Sequence, residues 1–213
     1  MRLLLIRHGQ TPANMLGLLD TAHPGPGLTA LGERQAIAVA EVLRRREVDG
    51  VFATTLLRTQ LTARPFAVAT VIEGLHEIEA GDLEGRNDRA SARSYLETAF
   101  AWGSGNLDAT MPGATDGHAF FRRFDRGIGA VSHLDTAVVF SHGAAIRVWT
   151  AGRATNVPPI FAGNHELDNT GVVELAGSPE EGWTLVSWAG APIGGLDLVD
   201  DSASDPTGDV LRR

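Results

Sequence analysis

Two unbroken apolar runs, Leu3-Leu4-Leu5-Ile6 and Ala137-Val138-Val139-Phe140, both lead into a histidine followed by glycine. The first continues as Arg7-His8-Gly9 and the second as Ser141-His142-Gly143. Continuous apolar runs of this length, bounded by turn residues, predict strands buried on both faces, as in a parallel sheet covered by helices. Parallel strands place their C-terminal ends on one edge, where open α/β sheets bind ligands. His8 and His142 are therefore expected to meet there, although most of the chain lies between them.

The stretches between and around these runs read as alternating helices and strands. Thr29 reads as the N-cap of an amphipathic helix carrying Ala36, Val39, Ala40, Val42 and Leu43 and ending at Arg44-Arg45-Arg46. A strand over 48–53 leads to Thr54-Thr55, read as the cap of a helix with Arg58 in its first turn, and a short strand is predicted near 70–72. Further helices are predicted over 90–101, from Thr115 or Asp116 to about Leu134, and over 143–152. Strands at 171–175 and 183–188 close the order. The predicted fold is α/β: a three-layer sandwich, its sheet mostly parallel and flanked by helices, with an antiparallel pair at the C-terminal edge. Residues 12–27, rich in Gly and Pro, read as a loop, and 86–118 as an inserted lid. One domain is expected over 1–199, with an acidic, small-residue tail over 200–213 predicted to be disordered.

Composition narrows the classes of partner. With 213 residues and 43% hydrophobic content, the chain can bury one substantial core. Its zero cysteines exclude disulfides, thiolate nucleophiles and Cys-ligated metal, and fit a reducing compartment. A net charge of -8 argues against nucleic acid and anionic membrane as partners. No secretory leader pattern follows Met1, and no apolar run reaches membrane-spanning length. A soluble, cytoplasmic protein acting on a small molecule is the expectation.

An imidazole at a strand end suits attack on an anionic phosphoryl group when it has a permanently charged guanidinium beside it and a glycine that admits close backbone approach. Arg58, near a helix N-terminus, adds a second anion-binding cation. Arg7 and Arg58 together disfavour protonation of His8. Glu77 and Glu84 flank a glycine-bearing turn and supply candidate proton donors. No His-x-x-x-His spacing, Gly-x-Ser-x-Gly elbow or Walker loop occurs, so metal-ligand, serine-hydrolase and nucleotide-loop readings are unsupported by motif. Covalent catalysis by histidine remains.

The order of motifs resembles the histidine phosphatase superfamily, the phosphoglycerate mutase-like group. The resemblance runs through Arg7-His8-Gly9-Gln10-Thr11 with Asn14, Leu28-Thr29-x-x-Gly32-x-x-Gln35-Ala36, and Leu57-Arg58-Thr59 with Thr62-Ala63. It continues through Leu75-x-Glu77-x-x-x-Gly81-x-x-Glu84-Gly85, Ser141-His142-Gly143 and Asn169-Thr170. It implies His8 as the nucleophile, with Arg7, Arg58 and His142 on the phosphoryl oxygens. Gln10, Thr11, Asn14 and Gly143 would line the same pocket. Glu77 is implied as the proton donor, and Glu84 as part of loop structure. No cofactor or metal is implied for hydrolysis.

The expected function is thus metal-independent hydrolysis of a small phosphomonoester through a phosphohistidine. A cofactor-dependent phosphoglycerate mutase is the alternative, and a catalytically weak phosphate-binding regulatory protein is a second. Mutases resemble one another in a Glu after Arg-His-Gly and in a lid Lys with adjacent arginines. This chain has Gln10, no lysine, and single Arg86, Arg89 and Arg93, which read either as one turn-spaced basic face toward a second anion or as solvated helix positions. The family's common Gly-Gly-Glu-Ser segment is altered to Pro112-Gly113-Ala114-Thr115-Asp116. Phosphorylated sugars, phosphoglycerate derivatives, nucleotide-loop precursors and phosphohistidine peptides all stay open as substrates. An exposed sheet edge near the C-terminal strands offers a route to a homodimer.

Overall fold

The computed structural model describes residues 1–200 and 205–209. Among them, β1 (Arg2–Arg7), β2 (Gly50–Ala53), β3 (Thr70–Val71), β4 (Thr136–Ser141), β5 (Val172–Ser178) and β6 (Gly182–Ala189) form one sheet, ordered β3-β2-β4-β1-β5-β6. The first four neighbours pair in parallel, whereas β5 runs antiparallel to β1 and β6 antiparallel to β5. The expected mostly parallel sheet with an antiparallel C-terminal edge is the one observed.

Alternation along the strands divides the core into two layers. Leu3, Leu5, Ala137, Val139, Val173 and Leu175 face one way, toward α4 (Arg89–Gly103), α5 (Gly117–Val131) and α6 (Gly143–Arg153). Leu4, Ile6, Val138 and Phe140 face the other way, toward α2 (Ala30–Leu43) and α3 (Leu57–Ala63). Each fully buried large apolar side chain contributes about 1.5–3 kcal/mol, so the β1–β4 junction, whose Leu3, Leu4, Leu5, Ile6, Val138, Val139 and Phe140 are all buried, is a firm platform for a site.

Four features differ from the sequence reading. The segment 86–118 is not only a lid: Tyr95, Leu96, Ala99, Phe100 and Trp102 of α4 make an apolar stripe buried in the main core. Residues 12–15 are a short helix, α1 (Pro12–Met15), because Thr11 and Asn14 form a reciprocal capping box with Pro12 in the first turn. The N-cap of α3 is Leu56, without a side-chain cap, since the Thr54 hydroxyl is turned toward Thr59 and His142. Finally, the tail expected to be disordered contributes a turn, Asp205–Asp209, with Pro206, Thr207 and Gly208 buried. Its acidic and carbonyl groups find the buried arginines Arg7 and Arg147. The other tail positions, 201–204 and 210–213, lie outside the described residues. A further short helix, α7 (Phe161–Asn164), follows α6. Among the described residues no helix is long and apolar enough to cross a membrane.

Candidate active site

The parallel register pairs Arg7 with Ser141, so the next residue on each strand, His8 and His142, emerges on the same edge. Their ring centroids lie 5.4 Å apart. The backbone of His8 is fixed from both sides: its N–H donates to Ser141 O at 3.0 Å, and Asn169 Nδ2 donates to its carbonyl at 3.0 Å. Thr170, next to Asn169, adopts φ 62°, an uncommon conformation for a β-branched residue that marks a tightly determined turn. Gly9 lets this loop press on the start of α2, where a Cβ would come within 2.7 Å of Gly32 O.

His8 Nδ1 donates to Gly9 O at 2.8 Å, which leaves the lone pair on Nε2. Burial, followed by the charges of Arg58 and Arg7, holds its pKa well below the ordinary histidine value and outweighs the Gly9 hydrogen bond. The ring is neutral near neutral pH. Charge repulsion by the two arginines agrees in direction with the sequence reading, but burial is the larger cause.

His142 presents its other nitrogen. Its Nε2 lies 2.9 Å from Thr54 Oγ1. The same Thr54 hydroxyl also bonds Thr59 Oγ1 at 3.0 Å. The other ring nitrogen of His142, Nδ1, is buried and has no hydrogen-bond partner among the described residues. Arg58 is also buried; its Nη2 donates to Asp20 O at 2.9 Å, while Nε and Nη1 have no hydrogen-bond partner among the described residues, Nη1 lying 3.6 Å from Asp20 Oδ2. A buried donor left unpaired costs about 1–3 kcal/mol, so two such donors on one guanidinium beside the nucleophile favour the binding of an anion.

Glu77 is buried at the start of α6. Its carboxylate accepts from Ala145 N at 2.8 Å, Ala144 N at 3.2 Å and Ile78 N at 2.9 Å. Burial nevertheless raises its pKa above the usual carboxylate range, against the opposing effect of those amides and Arg58. The loop carrying Glu77 is clamped by Arg123 of α5, which donates to the carbonyls of Gly74, His76 and Glu77, each at 2.7 Å. Glu84 accepts from Thr21 N at 2.9 Å, Thr21 Oγ1 at 2.5 Å and Ala22 N at 3.1 Å, and so ties one loop to another.

Arg7 is fully buried. Its Nη1 donates to Leu167 O at 2.7 Å, and its Nη2 to Asp205 Oδ2 at 2.5 Å and Thr207 Oγ1 at 2.9 Å, leaving Nε unpartnered. Asn14 Nδ2 donates to Asp205 Oδ1 at 3.4 Å. Gly143 packs beside Arg7 Nε. The structure thus gathers His8, His142, Arg58, Glu77, Arg7, Asn14 and Gly143 at one edge. The side chains of Gln10 and Thr11 bond elsewhere: Gln10 accepts from Thr29 Oγ1 at 2.6 Å and donates to Asp200, and Thr11 caps α1. Sequence reading missed Thr54, Arg123, Asp205, Thr207 and Arg147, which donates to Thr207 O at 2.9 Å. Arg147 left a usable signal, as the one charged residue among the apolar positions of α6 before its last turn.

A cavity of about 400 Å³ opens beside the site, lined in part by Thr21, Leu56, His76, Glu79, Glu84 and Gly113. Burial, with help from Arg123, lowers the His76 pKa to about 4. Arg86 and Arg93 are exposed and paired with Asp88 and Glu97, and Arg89 is exposed at the start of α4. The donors around His8 are cations and N–H groups, the wrong sign for a metal ion and the right one for a phosphoryl group.

The family model for the histidine phosphatase superfamily (branch 1) matches residues 3–190. PE-PGRS family protein PE_PGRS11 of Mycobacterium tuberculosis (strain ATCC 25618 / H37Rv) is 39% identical over 216 residues, covering 91% of this chain and 37% of that protein. The chain therefore spans little more than a third of the length of that relative. The adenosylcobalamin/alpha-ribazole phosphatase of Salmonella typhimurium is 32% identical over 164 residues, 71% of this chain and 78% of that protein. The solved structure of mycobacterial glucosyl-3-phosphoglycerate phosphatase superposes with a TM-score of 0.73 at 23% identity, over 89% of this chain and 99% of that one, and so shares the fold. The chain belongs to the histidine phosphatase superfamily.

Proposed function

We propose that this chain, a phosphoglycerate mutase-like phosphatase, hydrolyses small phosphomonoesters through a phosphohistidine on His8. The observation that carries this reading is a neutral imidazole, its Nε2 lone pair free, beside the unpartnered guanidinium donors Arg58 Nε and Nη1 and the second ring of His142. In the first step Nε2 attacks phosphorus, the bond to the leaving oxygen breaks, and Glu77 gives that oxygen its proton. In the second, the Glu77 carboxylate takes a proton from water as the water oxygen attacks phosphorus and the P–N bond breaks. The cationic donors stabilise charge on the equatorial oxygens throughout.

Hydrolysis is favoured over mutase chemistry by what surrounds the pocket. Glu79 and Glu84 line the adjacent cavity, and Arg86 and Arg93 are exposed and pair with Asp88 and Glu97. Among the described residues no arginine lines that cavity to receive a second anionic group, and a phosphomonoester of a neutral alcohol fits better. Alpha-ribazole phosphate, after the name of the Salmonella relative, is the first substrate to assay. Rapid quenching during p-nitrophenyl phosphate turnover, followed by mass spectrometry of the peptide containing His8, is expected to show one phosphoryl adduct on that residue. An adduct on another residue, or unchanged turnover by His8→Ala, removes the assignment.

A further inference from the structure

Arg7 and Asn14 belong to the set of donors that the reading above directs at phosphoryl oxygens, yet one carboxylate already bridges both. Asp205 Oδ2 accepts from Arg7 Nη2 at 2.5 Å and Oδ1 from Asn14 Nδ2 at 3.4 Å. The neighbouring Thr207 adds its hydroxyl to Arg7 at 2.9 Å and its carbonyl to Arg147 Nη1 at 2.9 Å. We propose that the segment Asp205–Asp209 is an intramolecular competitor of the phosphoryl group, its Asp205 carboxylate occupying the donors of Arg7 and Asn14 until an incoming phosphate displaces it. The proposal rests on the assignment of those two side chains to phosphate.

The physical case has three parts. A carboxylate and a phosphoryl group present the same chemistry to a guanidinium, oxygen acceptors on an anion. Both cannot share Arg7 without like-charge repulsion in a partly desolvated setting, and the Asp205 side chain is only 17% exposed. The segment also brings little apolar surface: besides the arginine contacts it is bonded by Asn14 Nδ2 at Asp205 and by Leu167 N at Gly208 O, at 3.0 Å, and its buried residues Pro206, Thr207 and Gly208 are small. Releasing it sacrifices little apolar burial.

A supporting role for Asp205, in which it merely aims Arg7 Nε at the substrate, predicts opposite signs. Isothermal titration of the full chain with inorganic phosphate, alongside p-nitrophenyl phosphate kinetics, separates the two. Asp205→Ala and Asp205→Asn are expected to tighten phosphate binding and lower KM by about tenfold, with kcat within about twofold of the parent. Unchanged or weakened phosphate binding, or a loss of kcat, overturns the proposal. Amide exchange in the unaltered chain provides a check free of substitution. Gly208 N and Asp209 N both donate to Asp205 O, and saturating vanadate should speed their exchange; unaltered exchange overturns displacement. If neither the parent nor any variant binds phosphate, the phosphate-site assignment itself fails, whereas phosphate binding that ignores Asp205 sinks the competitor alone.

Discussion

His8 and His142 look alike in sequence, each leaving a buried strand and preceding a glycine, but they turn opposite nitrogens to the site. Nδ1 of His8 is tied to the carbonyl of the next residue, Gly9, which frees Nε2 as an unprotonated nucleophile. Nε2 of His142 is tied to Thr54, a residue at the end of another strand, and among the described residues its Nδ1 has no hydrogen-bond partner. Both rings are held neutral, burial being the largest cause in each and Arg58 the next. The difference in role comes from one hydrogen bond per ring and not from charge.

Exchanging or deleting the two rings gives the largest effects. His8→Ala is expected to abolish turnover while the chain stays folded, because no other group supplies the lone pair. His142→Ala keeps the nucleophile and loses one contact to the phosphoryl oxygens, so kcat should fall about 10²- to 10³-fold and a phosphohistidine should still form. Circular dichroism with quenched-flow kinetics on both variants checks the pair. Equal losses in the two would mean that the rings do not divide the work as their hydrogen bonds indicate.

The division could not have been read from the chain alone. The apolar runs ending at Ile6 and Phe140 were enough to place both histidines on one sheet edge, since parallel strands leave few alternatives. Arg58 was readable from its place in the first turn of α3. The partner of His142 was not, because Thr54 reaches it through a strand order that puts β2 beside β4. The core role of α4 was masked by the Gly- and Pro-rich stretch that follows it, although Tyr95, Leu96, Ala99 and Trp102 carry a helical stripe. The tail was the hardest case: its composition argued for disorder, and its partners Arg7 and Arg147 are distant in sequence and buried.

Glu77 sharpens the comparison through pH. The first step needs His8 unprotonated and Glu77 protonated. As pH falls through the depressed His8 pKa the ring gains a proton and activity is lost; as pH rises through the raised Glu77 pKa the carboxyl loses its proton and the leaving oxygen loses its acid. A bell-shaped kcat/KM profile follows. Glu77→Gln should lower kcat about a hundredfold on an alkyl phosphate and flatten the alkaline limb while the acid limb stays. The loss should be smaller on p-nitrophenyl phosphate, whose leaving group needs little protonation. An alkaline limb that persists in Glu77→Gln would assign that limb to another residue.

The smallest expected effect tests the hydrogen bond that sets His142 apart. Thr54→Val keeps the shape of the side chain and removes the hydroxyl bonded to His142 Nε2, so the ring loses the contact that fixes its orientation beside the phosphoryl oxygens. Loss of one such hydrogen bond corresponds to about a tenfold fall in kcat/KM. Thr54→Ser should restore most of it, which a purely structural role for the methyl group would not. Phosphohistidine formation and breakdown should slow by the same factor, because His142 contacts the phosphoryl group in both half-reactions. Single-turnover kinetics separate the two steps, and a Thr54→Val variant slowed in only one of them would break the proposed symmetry of that contact.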